Sequence, residues 1–244
     1  MADIGKRALV TGAARGLGRS IVETLTAAGW EVWACDVRAP EDGLPDAHAF
    51  RVVDVTDESA VTAVFHEMEA HGGVDGLVNN AAIFPAGAWD ELDIDAWRKT
   101  IETNLIGSYL CAREAGKSMR KHGRGGSIVN LGSVTFHAGM ANGIIYTTTK
   151  GAVVAMTRSM ARAVGSLSVR VNCVAPGLMD TEGVREQMNV AGVDHSRLSG
   201  QDPQRILPGI TQTDGVANVI AFLLSEQAKE ITGQTIIASG GTYL

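Results

Sequence analysis

Residues 7–18 read RALVTGAARGLG, and the fold follows from how this stretch divides. Arg7–Thr11 is a short apolar run, and residues 19–29 carry Ile21, Val22 and Leu25 at helical spacing, so the segment reads as strand, tight turn and helix. Gly12, Gly16 and Gly18 let the turn close and the backbone approach a ligand. The first amides and the dipole of the helix favour a phosphate there. A nucleotide pyrophosphate fits that turn, and its place between first strand and first helix sets it apart from a stray glycine cluster.

Outward from this turn the pattern repeats. Strand 31–35 ends at Asp36, about twenty positions beyond the glycines, where an acidic group accepts hydrogen bonds from both ribose hydroxyls. That favours NAD over NADP, although Arg15 and Arg38 are close enough in sequence to partner an extra phosphate. The plain alternative is a carboxylate ending a strand in solvent. A short irregular connection leads to strand 48–53, followed by Asp54 and Val55 at its C-terminal end, where adenine contact is expected. Thr56 or Asp57 caps a helix running to about His71, and strand 76–80 ends in Asn79 and Asn80, which either fix loops or line the ligand. Residues 95–121 form a long helical pattern containing Asn104, whose usual reading is an exposed or locally bonded polar residue. After a fifth strand, a second long helix carries Tyr146 and runs to about Val164, and a sixth strand, 168–175, stops at Pro176 and Gly177. Residues 178–208 lack steady periodicity and are expected to form a mobile lid over a substrate. A helix at 214–224 and a strand at 233–238 complete the chain. This alternation predicts an α/β fold: a Rossmann-type doubly wound parallel sheet of about seven strands with helices on both faces, in a single domain spanning 1–244.

The stretch 130–150, NLGSVTFHAGMANGIIYTTTK, holds the candidate chemistry. Lys150 lies four positions after Tyr146, so on a helix the two stack on one face, and a neighbouring ammonium favours the phenolate and lowers its pKa. Ser133, at the end of an apolar strand, is placed to hydrogen-bond the same substrate oxygen. The bland reading makes Tyr146 the cap of a surface helix and Ser133 an ordinary strand-end hydroxyl. Phe136, His137, Met140 and Ile144 point to a mostly apolar or aromatic pocket, or equally to core.

A net charge of -6, with 20% charged and 45% apolar residues, argues against nucleic-acid and anionic-membrane partners. No signal peptide or membrane span is read in the chain, so a cytoplasmic protein is expected. Cys35, Cys111 and Cys173 suit reduced buried thiols, and the histidines lack ligand spacing, so no metal is predicted. The two long helices carry more apolar surface than one sheet face needs. A subunit interface is therefore expected, and a homotetramer is the assembly anticipated.

With these residues in order, the chain resembles the classical short-chain dehydrogenase/reductases over nearly its whole length. The carriers are TGAARGLG at 11–18, Asp54-Val55, NNAA at 79–82, Asn104, Ser133, YTTTK at 146–150, PGLMDT at 176–181, ITGQT at 231–235 and Gly240-Gly241. The resemblance implies a catalytic tetrad of Asn104, Ser133, Tyr146 and Lys150. It implies a coenzyme held along Gly12, Arg15, Gly16, Leu17 and Gly18, by Asp36, Asp54 and Val55 on the adenosine side, and by Asn80 and Ala82. Pro176, Gly177, Met179 and Thr181 would border the nicotinamide, with Tyr146 and Lys150 also against the coenzyme. Ala82, Met179 and Ser239 depart from the usual glycine, Ile or Val, and Asp.

The activity implied is reversible hydride transfer between a secondary alcohol, or its ketone, and NAD, with Tyr146 as acid and base, Ser133 orienting the oxygen, and Asn104 holding a water. The rivals are an NADPH-dependent carbonyl reductase and a non-catalytic dinucleotide-binding regulator.

Overall fold

The computed structural model describes residues 5–44, 46–190 and 205–242. Its strands are β1 (Arg7–Thr11), β2 (Glu31–Asp36), β3 (Ala49–Val52), β4 (Gly76–Asn79), β5 (Gly126–Leu131), β6 (Val169–Pro176) and β7 (Thr235–Ala238). All pair in parallel in the order β3-β2-β1-β4-β5-β6-β7. The central strands are buried because helices cover both of their faces, and their polar members Asn79, Ser127, Asn130 and Asn172 are buried with them. On one face lie α1 (Gly16–Ala27) and α8 (Thr213–Leu224), whose Ile21, Val22, Leu25, Ile220 and Leu223 are fully buried against β1, β4 and β5. The opposite face packs α2 (Glu58–Ala70) and α4 (Ser108–His122), with Phe65, Met68, Leu110 and Met119 inside. Each such buried side chain contributes roughly 1.5–3 kcal/mol, so these two layers fix the sheet.

Several boundaries differ from the sequence reading, each for a physical reason. Helix α1 begins at Gly16 instead of Arg19, because Gly16 and Gly18 belong to its first turn. Helix α2 starts behind Asp57, whose carboxylate accepts from the amides of Ser59 and Ala60 at 2.9 and 3.1 Å. The long helix expected over 95–121 is three pieces: α3 (Ile94–Ile101), a wider π-helical turn over Glu102–Gly107, and α4. At Gly107 a Cβ would meet Val55 Cγ2 at 2.7 Å, so the widened turn seats closely on the chain just beyond β3.

After β5 come a single turn, α5 (Thr135–Ala138), and the long α6 (Ile144–Val164). The segment without steady periodicity contains a helix, α7 (Glu182–Val190). The Thr181 hydroxyl accepts from the Val184 amide at 3.3 Å and starts this polar helix, whose few apolar residues hid it from a periodicity search. The rest of the expected lid, 191–204, lies outside the described residues. On either side of the segment, Met179 and Thr211 form an isolated parallel bridge, and the Thr211 amide donates to the Leu178 carbonyl at 3.1 Å.

Candidate active site

The strand order reverses between β1 and β4, and in an open parallel sheet the crevice at that point, at the C-terminal strand ends, takes the ligand. The glycine turn, Asp36, Asn80, Ser133 and Pro176 all stand at or just past those ends.

Gly12 has φ +64°, and a Cβ on it would lie 2.7 Å from the Ala81 Cα, so any side chain there would separate the turn from the chain leaving β4. Gly18 answers a different need: its Cβ would stand 2.0 Å from the Gly12 carbonyl oxygen, so this glycine lets α1 sit down on the strand. Leu17 is buried in the core beneath the turn. Arg15 precedes α1 in extended conformation and offers no side-chain cap, so an anion is the natural partner for the first helical amides. A dinucleotide pyrophosphate fits this cradle.

At the end of β2, one carboxylate oxygen of Asp36 accepts from the Ala14 amide at 3.1 Å and the other from the Arg38 amide at 3.2 Å. The acid is thereby fixed beside the turn. Arg15 is not free: its guanidinium binds both carboxylate oxygens of Glu186 on α7. Asp54 is exposed beyond β3 and accepts from the Thr56 amide and hydroxyl at 2.9 and 2.8 Å, whereas the Val55 side chain is buried in the core, leaving its backbone for any ligand.

The two asparagines after Val78 are structural clamps. Asn80 donates to the carbonyls of Thr11 and Gly12 at 3.0 and 2.8 Å, and the Thr11 hydroxyl accepts from the amides of Asn80 and Ala81 at 3.1 Å each. The side chain implied as a coenzyme liner instead shapes the turn that would hold the coenzyme. Asn79 donates to the Ser108 carbonyl and to Asn130 Oδ1, both at 2.9 Å, and Asn130 passes the bond on to Thr157 at 2.9 Å. Ala82 is exposed beside this clamp.

Tyr146 and Lys150 lie one turn apart on α6. The Lys150 ammonium is buried, donates to the Leu131 carbonyl at 2.7 Å and stands 5.5 Å from the centroid of the Tyr146 ring. Ser133, two residues past β5, is buried and accepts from the Thr135 amide and hydroxyl at 3.3 and 3.1 Å. Burial pushes the Tyr146 phenol up to about 12, opposed by hydrogen bonding from Ser133. Burial also brings Lys150 down to about 8, opposed by the Cys173 thiol behind it. The lowering by Lys150 expected from the spacing is outweighed here: the ammonium is turned to a main-chain carbonyl, and loss of water sets the direction at both groups.

Asn104 is fully buried in the π-helical turn, not exposed or bonded within its own helix. Its Oδ1 accepts from the Ile83 amide at 2.8 Å, and its Nδ2 donates to the Ile83 carbonyl at 2.9 Å and to the Thr149 hydroxyl at 3.1 Å. Thr149 in turn donates to the Tyr146 carbonyl at 2.8 Å. Asn104 is thus joined to the Tyr146 helix through Thr149. Pro176 is buried, and its carbonyl accepts from Val134 next to Ser133 at 3.1 Å. A Cβ on Gly177 would meet the Thr211 hydroxyl at 2.6 Å, Met179 pairs with Thr211, and Thr181 covers Gly16, whose Cβ would lie 3.3 Å from it.

The sequence reading missed Phe84, Thr149 and Glu186. The Phe84 ring lies against Tyr146 at 4.6 Å between centroids, and a Cβ on Gly143 would touch both Met140 and Phe84. Thr149 had a signal, its position between Tyr146 and Lys150; Phe84 and Glu186 had none.

A family model described as enoyl-(acyl carrier protein) reductase matches residues 12–243. The chain is 34% identical over 248 residues to the 3-oxoacyl-(acyl-carrier-protein) reductase FabG of Salmonella typhimurium, covering 98% of each. The chain belongs to the short-chain dehydrogenase/reductase family. Solved structures agree with that membership. The ligand-free aldohexose dehydrogenase AldT of Thermoplasma acidophilum superposes with a TM-score of 0.90 at 31% identity, over 98% of this chain and 94% of that one. ElxO, solved with NADP bound, superposes with a TM-score of 0.87 at 28% identity, over 97% and 98%. As a short-chain dehydrogenase/reductase the chain is an oxidoreductase with a single Rossmann-like domain. Among the described residues no helix is long and apolar enough to cross a membrane, and no cluster of residues is suited to a metal ion. All three cysteines are buried and free.

Proposed function

We propose that this oxidoreductase transfers hydride reversibly between a secondary alcohol, or its ketone, and NAD. The observation that carries the reading is the convergence of Ser133, Tyr146 and Lys150 at the end of β5, where the Lys150 ammonium stands 5.5 Å from the Tyr146 ring centroid and Ser133 acts against the rise of the Tyr146 pKa. A dinucleotide held with its pyrophosphate on the glycine turn would supply, through its nicotinamide, the acceptor or donor of hydride. The remaining work falls to side chains of the protein. Tyr146 takes the alcohol proton at its phenolic oxygen during oxidation and returns it to the carbonyl oxygen in reduction. Ser133 holds that oxygen and meets its growing charge. Lys150 supplies a buried positive charge behind the ring, and Asn104 steadies the Tyr146 helix through Thr149. The apolar wall of Phe84 and Met140 suits a substrate with an apolar or aromatic body.

The choice of NAD rests on Asp36, a carboxylate fixed at the ribose end of the crevice. Carbonyl reduction with NADPH is the second reading, favoured by Arg15 and Arg38 beside that site and by the reductases and the NADP-bound structure among the relatives. Nicotinamide absorbance on a panel of cyclic, aryl and aliphatic secondary alcohols, with NAD and with NADP, tests both. Turnover with NAD, reduced at least about a hundredfold in Tyr146→Phe, is expected. Turnover with NADP alone would overturn the coenzyme choice, and a fully active Tyr146→Phe would overturn the mechanism.

Two further readings belong here. A substrate-covering role for the stretch 178–208 is part of this reading, and because α7 also reaches Arg15 through Glu186, its truncation should raise KM for the substrate and disturb coenzyme binding together. Exposed Tyr109 and Ile106 beside α4, and Phe222 on α8, support self-association into a homotetramer in the cytoplasm. A monomer mass by light scattering at micromolar concentration would reject the assembly.

A further inference from the structure

We propose that Glu186 is a coenzyme-choice residue, which holds the Arg15 guanidinium in a two-pronged ion pair and so withholds from the ribose end of the crevice the cation that a 2′-phosphate would need. This rests on reading the crevice as a dinucleotide site. Arg15 Nη2 donates to Glu186 Oε2 at 2.7 Å, and Nη1 donates to the second carboxylate oxygen, the fork geometry that a phosphate would otherwise claim. The Arg15 hydrogen bonds, followed by the charges of Arg15 and Arg38, hold the Glu186 carboxyl below its ordinary range. The Arg15 guanidinium is therefore already committed to one acid.

The charges on the other side agree. Glu186, then Glu182 and Asp36, act on Arg15 and raise its pKa, so three carboxylates share the space around this guanidinium. Helix α7 brings two of them over the glycine turn, where Thr181 and the Glu182 carboxylate lie 3.3 and 3.7 Å from a Cβ built on Gly16. A nucleotide ending in a ribose diol meets Asp36 as an acceptor and leaves the Arg15 pair intact. One carrying a 2′-phosphate meets Asp36 as a like charge and must also displace Glu186 to gain a partner. Selection against the phosphate thus comes from α7, well away in sequence from the β2 end where such selection is usually sought.

Calorimetric titration of the coenzyme-free protein with 5′-AMP and with adenosine 2′,5′-bisphosphate reads this without turnover. Glu186→Gln keeps the shape of the side chain, removes its charge and should tighten the bisphosphate by about fivefold, the scale of a partly exposed ion pair, while AMP changes less than about twofold. Adding Arg15→Ala to Glu186→Gln should abolish the gain. Equal changes for the two nucleotides, no change in Glu186→Gln, or a gain that survives loss of Arg15 would overturn the proposal. Failure of the wild-type protein to bind AMP, the bisphosphate and NAD alike would instead overturn the dinucleotide reading.

Discussion

The Lys150 ammonium stands 5.5 Å from the centroid of the Tyr146 ring while donating to the Leu131 carbonyl at 2.7 Å. One buried cation therefore links the end of β5 to the face of the phenol. Its burial is unfavourable in the free protein, and that cost can be measured.

Lys150→Met should stabilise the coenzyme-free protein at neutral pH. The folded-state pKa of Lys150, brought down to about 8, lies below its unfolded value of about 10.4, so the folded state bears a penalty that is full below about pH 8. As pH rises toward the unfolded value, the unfolded state holds the extra proton and the penalty fades. Urea denaturation of both proteins from pH 7 to 10.5 should show a mutant advantage of a few kcal/mol that shrinks with pH; an advantage growing with pH would contradict the assigned direction.

Phe84→Ala should lower the Tyr146 pKa. Burial pushes the phenol up to about 12, and the Phe84 ring at 4.6 Å is part of that burial, so admitting water should return the phenol toward its ordinary value near 10. Carbon NMR of ring-labelled tyrosine, with Tyr146→Phe to assign the signal, reads the shift. An unchanged titration would remove Phe84 as a cause.

Asn104→Ala should destabilise the fold as well as impair turnover. It leaves the Ile83 amide and carbonyl without the partner that now serves both, at about 1–3 kcal/mol for each group left unpaired, while Thr149 keeps its bond to the Tyr146 carbonyl. Thermal melts should fall accordingly, and a melt equal to wild type would mean that Asn104 does not hold this loop.

Gly18→Ala should fold poorly. Its Cβ would come within 2.0 Å of the Gly12 carbonyl oxygen, a backbone atom that cannot rotate away, so a loss above about 3 kcal/mol is expected. Gly151→Ala, with open space around its Cβ, is the control on helix α6, and equal melts for the two variants would refute the packing role of Gly18.

The legible parts of this chain share one property: their side chains are sorted by burial. Covered on both faces, β1, β4 and β5 each carry a short apolar stretch, Ala8 to Val10, Leu77 to Val78 and Ile128 to Val129, and α2 and α8 show their stripes. Helix α7 was hidden because it is polar and exposed, and the π-helical turn because one widened turn barely alters a spacing of three and four. Within the site, spacing places Lys150 beside Tyr146 but carries no information on where the ammonium points or on how far burial opposes it. Asn104 is the converse case: an ordinary polar residue by helical pattern, and a three-bond clamp once Ile83 is brought to it from another part of the chain.

The bridge between Met179 and Thr211 makes the intervening chain a modular excursion with a fixed base. Because closing a loop costs only about 0.6 kcal/mol more for each doubling of its length, chain length between these anchors is cheap to vary, but Glu186 and Arg205 tie the stretch to Arg15 and to the Ser239 carbonyl. A graft that dropped Glu186 would change the coenzyme side of the crevice together with the substrate side, so the two specificities are coupled along one excursion of the chain.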